Sequence, residues 1–323
     1  MKVSLRVRYE GPAALAELTR AAETSGYDGL WVSEPWGIDA GPVLGWCVAN
    51  TSRMLLGTHV VSVFARTAAA TAGLAASLQT LSGGRFRLGL GTSGPQVVES
   101  WHGVPFEHPV AAVADAVAVV RAVLAGEPLR QSGEGRSLRS AWTGDPVTVP
   151  IYIGALGPRN QRLTADAAEG WTPTPYSPDH HAAFAGPLTE RLAENGRRIA
   201  LAPVCPVAVG PDVGSMLRLE KRWSALYLGG MGSFYADAAR AMGFGDMVAE
   251  VRKRWDDGDR RGARAAVADE YADAIALVGT PERIRSRIDR YVAAGIDELV
   301  VELRKPDLTD QLDDLRTLRK AIG

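Results

Sequence analysis

From end to end the chain alternates short apolar runs with segments of helical period, and that alternation restricts the fold more than any single motif does. Residues 3–7 read as a strand with Val3, Leu5 and Val7 on one side, and residues 13–24 as a helix that Gly26 ends. Further strands fall at residues 27–32, 54–63, 86–90, 150–154, 170–173, 199–209 and 297–303. Between them lie helical patterns at 41–49, 68–81 and 110–124, and another opening at Thr280-Pro281, a threonine cap with proline in the first turn. Strands that alternate with helices join in parallel through right-handed crossovers. Eight of them predict an α/β fold, a (β/α)8 TIM barrel with insertions, as one domain over residues 1–323, because no repeat or linker divides the chain. The polar stretch 126–148 reads as an exposed excursion. Residues 216–264 read as mostly helical, broken by glycines at 229–232 and near 243 and 245.

Such a barrel carries its active site at the carboxyl ends of its strands. The candidates are therefore residues 34–36, 59–62, 91–96, 154–160 and 171–176. In Gly154-Ala155-Leu156-Gly157-Pro158-Arg159-Asn160, small residues between a strand and a helix start leave backbone N–H groups for an anion such as phosphate, and Arg159 adds a charge. A tight turn with proline at a helix start accounts for the same residues without a ligand. Trp36, Trp101, Trp171 and Tyr176 can stack on a flat ring or simply cover the core. His59 reads as a neutral, buried histidine inside a strand, and no histidines or cysteines are spaced as metal ligands. Glu34 is the one carboxylate in a site position, and it fits an acid-base role and an ion-pair role equally well.

Several function classes fall away. Lys plus Arg number 36 against 37 acidic residues, a net charge of -1, so no overall field favours nucleic acid or an anionic membrane. Serine hydrolase, P-loop and Rossmann motifs are missing from the sequence. Cys47 and Cys205 sit in apolar runs as buried thiols, and the chain starts directly on a strand pattern without a leader or a membrane-length run. A cytoplasmic location is the expectation.

Three stretches resemble the bacterial luciferase-like superfamily, most closely its branch that uses the deazaflavin coenzyme F420. They are Leu81-Ser82-Gly83-Gly84-Arg85-Phe86, Gly89-Leu90-Gly91-Thr92-Ser93-Gly94-Pro95-Gln96-Val97-Val98-Glu99 and Trp101-His102-Gly103-Val104-Pro105-Phe106. Phe64-Ala65-Arg66-Thr67, Ala168-Glu169-Gly170-Trp171, Leu226-Tyr227-Leu228-Gly229-Gly230-Met231-Gly232 and Val278-Gly279-Thr280-Pro281-Glu282-Arg283 match it as well, as does the segment 153–160.

The resemblance implies the barrel and, within it, specific roles. His59-Val60 falls where the family often has a non-proline cis peptide against the middle ring of the coenzyme. Ser62, Gly91, Thr92 and Ser93 are implied to line that ring, and Gly154, Ala155, Leu156, Gly157, Arg159 and Asn160 to hold its phosphate. Trp36, Gln96, Trp171 and Tyr176 become candidate substrate contacts, and Glu34 the catalytic candidate. Where several members carry Asp-His, this chain has Glu34-Pro35, and Ser93 or Gly94 stands where sugar-phosphate enzymes have an acceptor glutamate, which argues against a sugar-phosphate substrate. The implied function is an F420-dependent oxidoreductase that transfers a hydride to or from a small organic substrate, possible in secondary metabolism. A two-component monooxygenase using reduced FMN (FMNH2) and oxygen, and a catalytically silent F420-binding protein, stay open beside it. Family members often form homodimers, here through the apolar helix 68–81.

Overall fold

The computed structural model describes residues 1–129 and 146–322, so most of the expected excursion at 126–148 lies outside the described residues. Its strands are β1 (Lys2–Val7), β2 (Gly29–Val32), β3 (Leu55–Thr58), β4 (Val61–Ser62), β5 (Phe86–Gly91) and β6 (Ile151–Ile153). They continue as β7 (Gly170–Trp171), β8 (Ala200–Leu201), β9 (Val204–Val209), β10 (Leu277–Gly279) and β11 (Glu298–Leu303). All pair in parallel, in the order β10-β9-β11-β1-β2-β3-β5-β6-β7-β8, with β4 on β5.

One stretch of chain, which runs from β8 into β9, links the β7 side of that path to the β11 side. On one side Ala202 N–H donates to Trp171 O and Val204 N–H to Pro173 O. On the other, Asp297 N–H donates to Leu201 O and Val300 N–H to Pro203 O. Residues 200–204 thus join β7 to β11 and close the barrel. The expected seventh strand at 199–209 is accordingly two pieces, β8 and β9, parted at Pro203, whose nitrogen has no proton to give a ladder. The expected third strand at 54–63 is likewise split, into β3 and β4, at a cis peptide between His59 and Val60. A second cis bond joins Thr174 to Pro175. β10, only three residues long, was not legible as a strand and adds an edge beside β9.

The helices that cover the barrel are α1 (Pro12–Ser25), α2 (Ala40–Ala49), α3 (Ala68–Leu81), α4 (Pro95–Ser100), α5 (Pro109–Leu124) and α6 (Pro158–Ala167). After them come α7 (His181–Phe184), α8 (Gly186–Asn195), α9 (Val213–Gly230), α10 (Phe234–Ala241) and α11 (Gly245–Asp256). The series ends with α12 (Arg260–Ala266), α13 (Asp269–Ala274), α14 (Pro281–Ala293) and α15 (Leu308–Ile322). The cap expected at Thr280 is made: its side chain accepts from Arg283 N–H and starts α14. Just past β5, the candidate stretch 91–96 runs into α4 at Pro95. Among the described residues no helix is long and apolar enough to cross a membrane.

Two faces of each strand are buried, and they differ. Outward residues such as Val3, Leu5, Leu299 and Val301 pack under the helices in the main core. Inward, Trp31, Tyr152, Ala202, Val204 and Val300 fill the barrel. Arg87 and Glu298 are buried among them as an ion pair, with the guanidinium 4.7 Å over the Trp31 ring and Trp31 Nε1 donating to Glu298 Oε1 at 2.9 Å. A buried pair of this kind survives desolvation only because its lone pairs and protons are used. Trp31 fits because β3 has no side chain at Gly57, where a Cβ would lie 2.4 Å from the indole. Above this packed plug, ligand space lies toward the carboxyl ends of the strands.

Candidate active site

At those ends lies a cavity of about 450 Å³. Its floor is built around Val60. The strand ends beneath this side chain are glycine: a Cβ at Gly91 would fall 2.5 Å from Val60 Cγ2, and Cβ atoms at Gly89 and Gly154 would fall 3.4 Å from Cγ1. Two neighbouring strands, β5 and β6, thus carry glycine beside residue 60, which stands forward into the cavity, and at Gly91 a side chain would collide with it. His59, next to it, is buried, with Nε2 3.3 Å from Thr172 O. Burial, reinforced by the positive charge of Arg6, brings its pKa down to about 3, so the imidazole is neutral over the whole physiological range.

One wall is the turn from β6 into α6. Gly157 is the N-cap, with Pro158 behind it and no side-chain cap bond, so the first amides of α6 have no side-chain acceptor. Gly154, Leu156, Gly157, Arg159 and Asn160 line the cavity here, and Asn160 Oδ1 is buried without a hydrogen-bond partner among the described residues. An amide-rich helix start beside a cation is an anion site, and the unpartnered Oδ1 seeks a donor.

Glu34 and Trp36 line the mouth, with Trp36 half exposed. The choice left open for Glu34 leans to the ion pair: its Oε2 accepts from Arg66 Nη2 at 2.8 Å and from Ala40 N–H at 3.0 Å. Ser62, Thr92 and Ser93 also reach the cavity. Four candidates do not. Trp171 is sealed in the core, donating from Nε1 to Ala155 O at 2.8 Å, and Tyr176 is fully buried against it with its hydroxyl 2.7 Å from His181 Nδ1. Ala155 is buried too, and Gln96 is exposed on α4 outside the lining. For Trp171 and Tyr176 the stacking role gives way to core packing against Phe184 and Tyr291.

Further residues complete the lining, of which only Thr172 and Thr174 fall in a candidate stretch read from the sequence, 171–176. Arg6 and Ser33 come from the ends of β1 and β2, Thr172 and Thr174 follow β7, and Tyr227, Met231, Phe234 and Tyr235 come from α9 and α10. Arg6 was legible in principle: Val3, Leu5 and Val7 face the helices, which puts residue 6 inward at the site end of β1. Beside it runs a buried charge network. Glu302 lies 3.4 Å from Arg6, 3.3 Å from Arg8 and 2.7 Å from Arg304, which also reaches Glu220 at 2.7 Å. Burial alone raises the Glu302 carboxyl, yet the guanidiniums of Arg304, Arg6 and Arg8 outweigh it and bring it to about 2.

Residues 2–298 match a family described as luciferase-like monooxygenase. A Mycobacterium tuberculosis protein, provisionally named a coenzyme F420-dependent oxidoreductase, is 36% identical over 98% of this chain and 99% of its own. The 5,10-methylenetetrahydromethanopterin reductase of Methanolobus tindarius is 26% identical over 88% of this chain and 89% of its own. Among solved structures, the coenzyme F420-dependent tetrahydromethanopterin reductase of Methanopyrus kandleri superposes with a TM-score of 0.80 at 21% identity, covering 99% of this chain and 98% of that one.

Proposed function

The chain belongs to the luciferase-like monooxygenase family, and on that premise we propose that it is a coenzyme F420-dependent oxidoreductase acting on a small organic molecule. The observation that carries this reading is the continuity of the cavity, from the Val60 floor to the uncapped start of α6. Relatives whose names state a coenzyme point to F420. The residues fit the coenzyme. Residue 60, Ser62, Gly91, Thr92 and Ser93 would hold a flat ring system, and the first amides of α6 with Arg159 would hold its phosphate. Asn160 Oδ1, without a partner among the described residues, would accept from a hydroxyl of the coenzyme.

When bound, the deazaflavin supplies a ring carbon that accepts or gives up a hydride. The protein's share is orientation and electrostatics. Val60 fixes how deep the ring sits. Neutral His59 brings no charge beneath it. Glu34 holds Arg66 in place at the mouth, and Trp36 and Phe234 enclose the substrate's apolar part. Residues 1–323 act as one barrel domain in this reading. A homodimer through α2 and α3 is supported by the exposed Trp46 and Leu81, and a cytoplasmic location by two buried free thiols.

Calorimetric titration with F420 and, separately, FMN tests the coenzyme. Binding of F420 with weak or no binding of FMN is expected. Preferential binding of FMN, with oxygen consumption when it is supplied reduced, would replace this reading with the monooxygenase. Tight F420 binding with no change in its oxidation state across a broad substrate panel would leave a silent binding protein.

A further inference from the structure

We propose that Arg6 and Tyr235 form an oxyanion subsite in the main cavity, so that the substrate presents a carbonyl or carboxylate oxygen to the guanidinium while its reacting carbon faces the coenzyme. The inference rests on the coenzyme reading for the second half of that sentence and on side-chain geometry for the first.

Arg6 is held from two sides. Nε donates to Ser33 Oγ at 2.8 Å, and Nη2 lies 3.4 Å from Glu302. Nη1 donates to no group among the described residues, although the side chain is only 10% exposed. An oriented, nearly enclosed guanidinium with one edge uncommitted is suited to a planar oxygen acceptor. The surrounding charges do not cancel it. Among the described residues, Arg6, Arg8 and Arg304 pair with Glu302 and Glu220, three cations against two carboxylates. Arg304 is saturated by both acids and Arg8 stacks 4.3 Å over Trp223, so the surplus charge reaches the cavity through Arg6.

Tyr235 stands in the same wall. Its ring lies 4.6 Å from that of Tyr227, and its hydroxyl has no hydrogen-bond partner among the described residues. Both side chains line the cavity, and burial pushes the phenol well above its ordinary range against the opposing charge of Arg6, which keeps the hydroxyl a proton donor. Both carboxylates of the main lining are already engaged: Glu34 by Arg66 and Asp237 by Arg240 at 2.7 Å. His59 is neutral and uncharged. A guanidinium and a phenol, both donors, with no uncommitted anion nearby, select against cationic ligands and for an oxygen that carries or gains negative charge. Arg159, the other cation of the lining, sits at the phosphate end.

The test is calorimetric titration of the full chain with benzoate, a flat carboxylate, and with benzyl alcohol as its uncharged counterpart, each with and without saturating F420. Wild type should bind benzoate more tightly than the alcohol. Arg6→Gln should lose about ten- to a hundredfold in benzoate affinity and Tyr235→Phe several-fold, with little change for the alcohol. Arg6→Lys keeps the charge, should fold in any case, and should recover part of the loss. Absence of benzoate binding in both states, or binding that Arg6→Gln and Tyr235→Phe leave unchanged, overturns the proposal. Arg6-dependent benzoate binding without F420 binding would sink the coenzyme reading alone, and the converse would sink this one alone.

Discussion

Replacing Gly91 by alanine tests whether the position of Val60 organises the site. The new methyl group would lie 2.5 Å from Val60 Cγ2, more than 1 Å inside the roughly 3.5 to 4.0 Å at which carbons rest against each other. Valine is stiff about χ1, and its Cγ1 already rests over Gly89 and Gly154, so rotation does not relieve the clash. The backbone at 60 or 91 has to move. Overpacking of this kind costs about 1 to 3 kcal/mol. With an unfolding entropy of about 2.1 cal/mol/K per residue, a chain of 323 residues loses about 1.5 °C of Tm per kcal/mol, so a drop of about 1.5 to 4.5 °C is expected. On the proposed placement of the ring over Val60, coenzyme binding should suffer more than stability, and about tenfold or more in Kd is expected. Differential scanning calorimetry and coenzyme titration measure the two effects. Adding Val60→Ala removes Cγ2 and should recover most of the lost Tm. If Gly91→Ala leaves both Tm and Kd unchanged, or if the double variant recovers nothing, the packing argument is wrong.

Glu298→Gln leaves Arg87 buried without its counter-charge and should cost about 3 to 5 kcal/mol in urea denaturation, while changing coenzyme affinity little. His59, held near pKa 3 in the folded chain against its ordinary 6.5, binds no proton where the unfolded chain does. Its contribution therefore makes stability fall as pH drops from 6.5 toward 3, and His59→Asn should flatten the decline in Tm measured from about pH 7 to about pH 4. Glu34→Gln weakens the hold on Arg66 and should cost about 1.5 to 3 kcal/mol of stability, yet the shape of the kcat pH profile should persist. Loss of one limb of that profile would restore Glu34 as the acid-base group.

The barrel was legible because eight strand patterns and the helices between them are local signals that parallel pairing preserves. Pro203 and the His59-Val60 bond divided two of those strands, which periodicity does not register. Within the cavity, the places of the glycines and the α6 turn could be read because the backbone sets them. Trp171 and Tyr176 were misplaced for the opposite reason. An aromatic residue at a strand end reads the same whether it faces a cavity or a core, and here Phe184 and Tyr291, distant in sequence, decide for the core. Arg6 was overlooked because a charge in a strand looks like a solvent face, whereas in a closed barrel the second face is the interior. Tyr227 and Tyr235 depend on where α9 and α10 fold back, which no local pattern encodes.

Among the described residues, the stopper of Trp31, Tyr152, Arg87 and Glu298 fills the barrel beneath the cavity and makes it a cup. Whatever rests against Val60 and the glycines lies at the bottom of that cup, and whatever meets Trp36, Val110 and Phe234 lies nearer the rim. Two molecules that share one entrance have to queue. The deeper one enters first and leaves last, so the order of arrival follows from which end of the barrel is corked. Steady-state kinetics should then show a compulsory sequence, with the rim-bound product departing before the molecule beneath it is exchanged.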